Sequence, residues 1–252
     1  MKNQTMSNSH AFSRHRRFLA VNLALFGVWW ILMAIRPYDI KDWTLENVLT
    51  VPAVLILIAT RRSFPLSRVS YLLIFIFLAM HTLGSHYTYA MVPYDEWSRL
   101  LTGVSLDAAV GFTRNMYDRL VHFCFGLLLA YPVREMFLRV AQVRGFWGYY
   151  LPLDVTMALS ALYELIEWGA AEVFGGDLGV AYLGTQGDVW DAQKDMASAT
   201  VGALCAMLIT AGLNFWLERD HAREWSESLT VKDPRPYGED EIMRLWKEKK
   251  QA

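Results

Sequence analysis

The chain alternates between long apolar runs and short polar connections. The first run, FLAVNLALFGVWWILMAI at 18–35, follows a polar start that ends in Arg14, His15, Arg16 and Arg17, and it is long enough to cross a hydrocarbon core. It is longer than a signal-peptide core and no small-residue cleavage site follows it, so it is expected to stay as a membrane helix. Runs at about 45–60, 69–85, 120–138, 150–173 and 189–217 repeat the pattern. The second is short and contains Pro52, so it needs Trp43 or a neighbouring helix to complete a crossing. Leu100 to Phe112 is too short and too interrupted to span, which predicts a surface or re-entrant helix. The tail from Glu218 is charged, carries Pro234 and Pro236, and ends in GEDEIMRLWKEKK, the pattern of a short amphipathic surface helix. These elements predict an all-α membrane protein, a polytopic six-helix transmembrane bundle at 18–217 between an N-terminal segment, 1–17, and a tail, 218–252.

Lys and Arg orient it. With both termini cytoplasmic, the inner segments hold Lys2, Arg14, Arg16 and Arg17, then Arg61, Arg62 and Arg68, then Arg134, Arg139 and Arg144, and the basic tail. The outer connections hold Arg36, Lys41, Arg99, Arg114, Arg119 and Lys194, so the asymmetry follows the positive-inside rule. Composition agrees with this class: 54% of residues are hydrophobic and 19% charged, above ordinary globular apolar usage. A net charge of −1 gives no pull towards nucleic acid. Cys124 and Cys205 each lie inside an apolar run and read as small buried hydrophobes, with no disulfide or Cys-based metal site expected.

Against this apolar background one stretch, YELIEWGAAEVFGGDLGVAYLGTQGDVWDAQKDMASAT at 163–200, concentrates carboxylates. Glu164 and Glu167 close the fifth run, and Asp188, Asp191 and Asp195 lead into the sixth. Ionisable groups at membrane depth face a protein interior or a watered cavity and mark a functional site by default. The six-span topology brings the His86 end of the third run, the Asp118 end of the fourth and these two carboxylate groups to the outer side. Asp118 and His122, four apart, share one helix face, and His81 lies about one turn inside the third run. His122, Glu164, Glu167, Asp191 and Asp195 are the candidate catalytic residues. His81, His86, Arg114, Asp118, Asp188, Trp168 and Trp190 are candidates for substrate binding or support.

Plainer roles compete for several of these. Asp118 and Asp188 sit where helix N-caps would be. Arg114, Arg119 and Lys194 could close a structural ion-pair network, and Trp168 and Trp190 could be interfacial anchors. Glu164 is harder to dismiss, because a carboxylate about two turns inside an apolar helix has to be protonated, paired or metal-bound. Carboxylates with imidazole suit a divalent metal such as Mg, Mn or Zn, with His122, Glu164, Glu167 and Asp191 as ligands, and equally suit acid/base work. The HExxH spacing is absent. Gly175, Gly176, Gly179 and Gly184 lack the spacing and the Lys of a phosphate loop.

The segments MYDRLVHFCFGLLLAYPVREMF, ALYELIEWGAAEVF and GDVWDAQKDMASATVGALCA resemble the DUF2238, or YjdF-like, family of bacterial inner-membrane proteins. The order of polar residues, Asp118 and His122 in one helix, Glu164 and Glu167 in the next, then Asp188, Asp191 and Asp195, is also similar to that of VanZ-like proteins. The resemblance implies a multi-pass protein of the bacterial inner membrane and sets no reaction. Three functional classes fit. The first is binding, or modification by a hydrolase or transferase, of a lipid or cell-wall lipid precursor in an outward-facing polar pocket. The others are a proton-coupled small-molecule transporter and a non-catalytic assembly factor of the cell envelope that docks a partner on the aromatic connection His86 to Asp107.

Overall fold

A computed structural model describes residues 2–174, 185–217, 221–232 and 238–251, and every regular element among them is helical. Helix α1 spans Lys2–Ala34. It therefore runs through the segment expected to precede the first span, because 2–17 contains no Pro or Gly to break a helix. Arg36, with φ of 53°, and Pro37 end it. Helix α2 spans Ile40–Thr60, starting five residues before the expected run; the Asp39 carboxylate accepts from the Lys41 and Asp42 amides and caps it. Pro52 stays inside this helix, whose 21 residues rise about 31 Å and make up the length the apolar run lacks.

Helix α3, Arg68–His86, is capped by Ser67. The connection after α3 carries two short helices where one was expected, α4 at Tyr94–Thr102 and α5 at Leu106–Val110. Gly103, at φ of 75°, separates them. Asp95 closes the pair by accepting from the Asp107 amide and the Ser105 hydroxyl, each at 3.0 Å; these bonds and Arg99 draw its carboxyl below the ordinary range. The Tyr94 hydroxyl donates to Asp107 at 2.5 Å, and burial together with that bond pushes its phenol up to about 12. Helices α6, Tyr117–Val140, α7, Trp147–Phe174, and α8, Asp191–Trp216, follow, then α9, His221–Leu229, and α10, Glu239–Gln251.

Among the described residues, five helices are long and apolar enough to cross a membrane: α2, α3, α6, α8 and the Arg17–Ala34 part of α1. Helix α7 is long enough but carries Asp154, Glu164, Glu167 and Glu172. Successive long helices run antiparallel, so the ends of α1, α3 and α7 meet the starts of α2, α6 and α8. The Tyr38 amide bonds the His86 carbonyl at 2.9 Å, the Tyr117 hydroxyl donates to the Met80 carbonyl at 2.9 Å, and Arg119 reaches Asp191.

Helices α6 and α8 run parallel with their backbones in contact. A Cβ built on Gly126 would lie 1.9 Å from the Ala199 carbonyl oxygen, and one on Gly202 would lie 2.0 Å from that of Phe123. Ala130, Ala199 and Ala203 are fully buried along the same seam, the small-residue packing by which membrane helices approach most closely. The opposite end is clipped by Glu135, which accepts from the Ser67 amide at 2.9 Å and the Ser70 hydroxyl at 2.5 Å and pairs with Arg139. The start of the tail is not free: Ser228 of α9 accepts from the Phe146 amide, and Trp225 packs on Phe146.

Candidate functional site

The glycine seam fixes the register of the polar groups above it. One turn before Gly126 is His122 and a further turn back is Asp118; one turn before Ala199 is Asp195 and a further turn back is Asp191. Lateral contact between α6 and α8 therefore brings Asp118, His122 and Asp195 together, with one ligand atom of each within 4.8 Å of the others. From α7, Glu164 completes the group: His122 Nε2 is 3.5 Å from Glu164 Oε1 and 3.6 Å from Asp118 Oδ1. Glu164 Oε1 and Asp195 Oδ1 are buried and accept no hydrogen bond. Glu167, one turn further along α7, is buried close to Glu164, Glu46 and Asp118.

An ion-pair rim lies over this group. Arg119 donates to Asp191 at 2.6 Å and to Asp188 at 3.0 Å, Arg114 is 2.8 Å from Asp191, and Lys194 is 2.6 Å from Asp188. Three cations thus meet two carboxylate oxygens, Asp191 Oδ1 and Asp188 Oδ2, while Asp191 Oδ2 is buried without a hydrogen-bond partner. Lys194, Arg119 and the Trp190 amide hold the Asp188 carboxyl well below the usual carboxylate range. Asp188 caps no helix by the usual geometry; it bonds the Trp190 amide at 3.1 Å, ahead of α8. Asp118 lies inside the first turn of α6, whose cap residue is Met116. Arg114 also donates to the Thr185 carbonyl, and Asn115 and Gln186 bond reciprocally, tying the chain before α8 to the start of α6.

A second wing joins the expected His81 to three residues not singled out from the sequence, Glu46, Tyr89 and Tyr163. Glu46 of α2 is buried and accepts from the Tyr163 hydroxyl of α7 at 2.9 Å. Its backbone carbonyl is 3.2 Å from His81 Nε2, and the Tyr89 hydroxyl bonds His81 Nδ1. Thr88 and Tyr89 both adopt positive φ, 54° and 48°, turning the Tyr89 ring back under α3. There it occupies the space a side chain at Gly84 would need. Burial, reinforced by Glu46, holds the Tyr89 phenol well above its ordinary range, so it stays protonated and donates. His81 Nδ1 is then the acceptor, leaving Nε2–H to donate to Glu46.

Below these groups is a cavity of about 590 Å³ between α2, α3, α6 and α7. Its walls are apolar, among them Leu49, Ala53, Phe77, Phe125 and Leu129, and its polar end is His81, Tyr89, Asp118, His122 and Tyr163. Leu49, Ile56, Leu159 and Leu162 line it while remaining exposed, so its mouth opens sideways between α2 and α7, beneath the Tyr163–Glu46 bond. Thr50 and Ser160, one turn below Glu46 and Glu164, also line it; both are buried, and neither hydroxyl has a partner.

Three expected contributors lie elsewhere. His86 turns to the end of α1, its Nδ1 2.9 Å from the Met33 carbonyl. Trp168 and Trp190 are largely exposed. The Gly175 to Gly184 connection lies outside the described residues.

Residues 18–214 match the family model described as "Predicted membrane protein (DUF2238)". The chain is 39% identical over 182 residues to "Inner membrane protein YjdF" of Escherichia coli (strain K12), across 72% of this chain and 83% of that protein. These matches bear on the DUF2238 family and do not extend to VanZ-like proteins. No solved structure matches the chain. The chain belongs to the DUF2238 family and is an inner-membrane protein.

Proposed function

We propose that this DUF2238 protein binds a membrane amphiphile, a phospholipid or lipid-linked envelope precursor, with its chain in the α2–α3–α6–α7 cavity and its headgroup at the Asp118–His122–Glu164 end. The observation that carries this is an apolar cavity of ligand size, open towards the bilayer, that ends on the Asp118 carboxylate and the buried imidazoles of His81 and His122. Thr50 and Ser160 supply idle donors one turn beneath the headgroup level, the depth at which an ester carbonyl follows a headgroup. The finer topology belongs to the same reading. Helix α7 is the sixth span, with Glu164 and Glu167 turned to the cluster, and both termini are cytoplasmic, as the Lys and Arg asymmetry favours, which turns the polar end outwards.

The test is lipid analysis of the protein purified in mild detergent. Wild type is expected to retain a defined lipid species that is depleted in Ala53→Trp, which fills the cavity, and in Glu164→Gln, which alters its polar end. Equal lipid content in the folded variants would overturn the reading. One further observation favours a second reading: the line Tyr89, His81, Glu46 and Tyr163, in which His81 Nε2 lies 3.9 Å from the Glu46 carboxylate, has the composition of a proton relay. Proteoliposomes showing proton flux that His81→Phe abolishes would select it, and the absence of flux would remove it.

A further inference from the structure

We propose that Asp118, His122 and Asp195, with Glu164 as a fourth donor, bind a divalent first-row transition cation such as Mn²⁺ or Zn²⁺. A cluster of acids alone would not carry this; the spacing and the idle oxygens do. His122 Nε2 stands 3.6 Å from Asp118 Oδ1 and 3.5 Å from Glu164 Oε1. Those separations are too long for charge-assisted hydrogen bonds, which run at about 2.7–2.9 Å. They match the edge of a coordination tetrahedron, since ligand atoms about 2.1 Å from one cation lie about 3.4 Å apart. Asp195 Oδ1 and Glu164 Oε1 are both buried and accept no hydrogen bond.

Charge points the same way. Arg114, Arg119 and Lys194 are drawn off by Asp188 and Asp191, at 2.6 to 3.0 Å for the shortest pairs. Arg119 Nε approaches Asp195 Oδ1 only to 3.6 Å, beyond hydrogen-bond reach. Asp118, Glu164 and Asp195 therefore share one imidazole and two guanidiniums already engaged by other carboxylates, and a dication offsets them. Imidazole with carboxylates selects borderline cations over Mg²⁺ or Ca²⁺. Asp118 and His122 also line the cavity, so an open coordination position would face its polar end.

This ligand set differs from the one expected from sequence: Asp195 and Asp118 replace Asp191, which the arginines hold, and Glu167. It does not rest on the amphiphile reading, because the metal is measured on delipidated protein and lipid retention is scored separately.

The experiment is Mn²⁺ titration of detergent-purified wild type followed by EPR, with pulsed EPR for nitrogen coupling. About one saturable equivalent is expected, coupled to an imidazole nitrogen. Binding should fall at least tenfold in Asp195→Asn and persist in Asp188→Asn, and the nitrogen coupling should vanish in His122→Ala. Wild type without saturable Mn²⁺ or Zn²⁺ binding, or with Mn²⁺ bound but no nitrogen coupling, overturns the proposal whether or not the variants fold. Undiminished binding in folded Asp195→Asn overturns it as well.

Discussion

Adding one methyl group at Gly202 should loosen the seam that aligns Asp195 with His122. A Cβ there would lie 2.0 Å from the Phe123 carbonyl oxygen and 2.8 Å from the Leu127 nitrogen, while ordinary contact begins at 3.4 Å. Both obstacles are helix backbone, so α6 and α8 must part by the difference between 3.4 and 2.0 Å, 1.4 Å. A radial gap of about 0.5–1 Å already forfeits a quarter to a half of each contact's dispersion energy, and overpacking costs roughly 1–3 kcal/mol. Here the top of that range, about 3 kcal/mol, is partly offset by about 1 kcal/mol of helix propensity gained on replacing Gly by Ala. Gly202→Ala should therefore lose about 2 kcal/mol net, and Gly126→Ala, facing the Ala199 oxygen at 1.9 Å, should match it. One separation relieves both clashes, so the double variant should cost less than the sum, with coupling of about 1 kcal/mol. Reversible denaturation in micelles measures all four species. Gly169→Ala and Gly212→Ala, which meet nothing within 4 Å, serve as controls expected to be neutral or stabilising. Gly202→Ala and Gly126→Ala behaving like those controls would show that the α6 and α8 backbones are not in contact at these glycines.

Three further outcomes follow from the same geometry. Tyr89→Phe keeps the ring under Gly84 but leaves buried His81 Nδ1 without its donor; a loss of about 1–3 kcal/mol is expected in the same denaturation assay, and none if the bond is idle. Glu135→Ala strands the Ser67 amide and Ser70 hydroxyl and should cost about 2–3 kcal/mol, with Glu135→Gln intermediate; equal stability of the two variants would contradict the role of the charge. Because the folded Asp188 carboxyl is held below its ordinary value, its stabilisation is present above about pH 4 and lost as pH falls through the folded value. Thermal melts from pH 7 down to 3 should therefore drop more steeply for wild type than for Asp188→Asn, and parallel curves would refute the assignment.

Much of the architecture was legible in the apolar runs, and the alternation of helix direction that gathers Asp118, His122, Glu164 and Asp195 at one level follows from their order alone. What was missed has identifiable physical causes. Lys41 to Thr44 is polar enough to resemble a connection, yet Asp39 caps a helix there, and Glu46 and Asn47, at the start of the expected second run, turn inwards, where Tyr163 and Trp30 bond them. Tyr89 joins the site only through two consecutive left-handed residues, which no periodicity announces. His86 shares the right level but the wrong helix face, and bonds α1 instead. Asp191 and Asp195 look equivalent in sequence; only the arginine positions separate the paired carboxylate from the one facing His122. The docked α9 was hidden by its charge, because Ser228 and Trp225 make its contacts among Arg and Glu neighbours.

A photoreactive-tail phospholipid in nanodiscs reads out whether a lipid-like chain occupies the space between α2 and α7. After irradiation and peptide mapping, adducts are predicted on cavity residues such as Leu49, Phe125 and Leu129, saturating with probe and displaced by unlabelled lipid. Adducts spread over the exposed outer stripe of α1, Val21, Leu25 and Val28, with no saturation and none in the cavity, would contradict that occupancy.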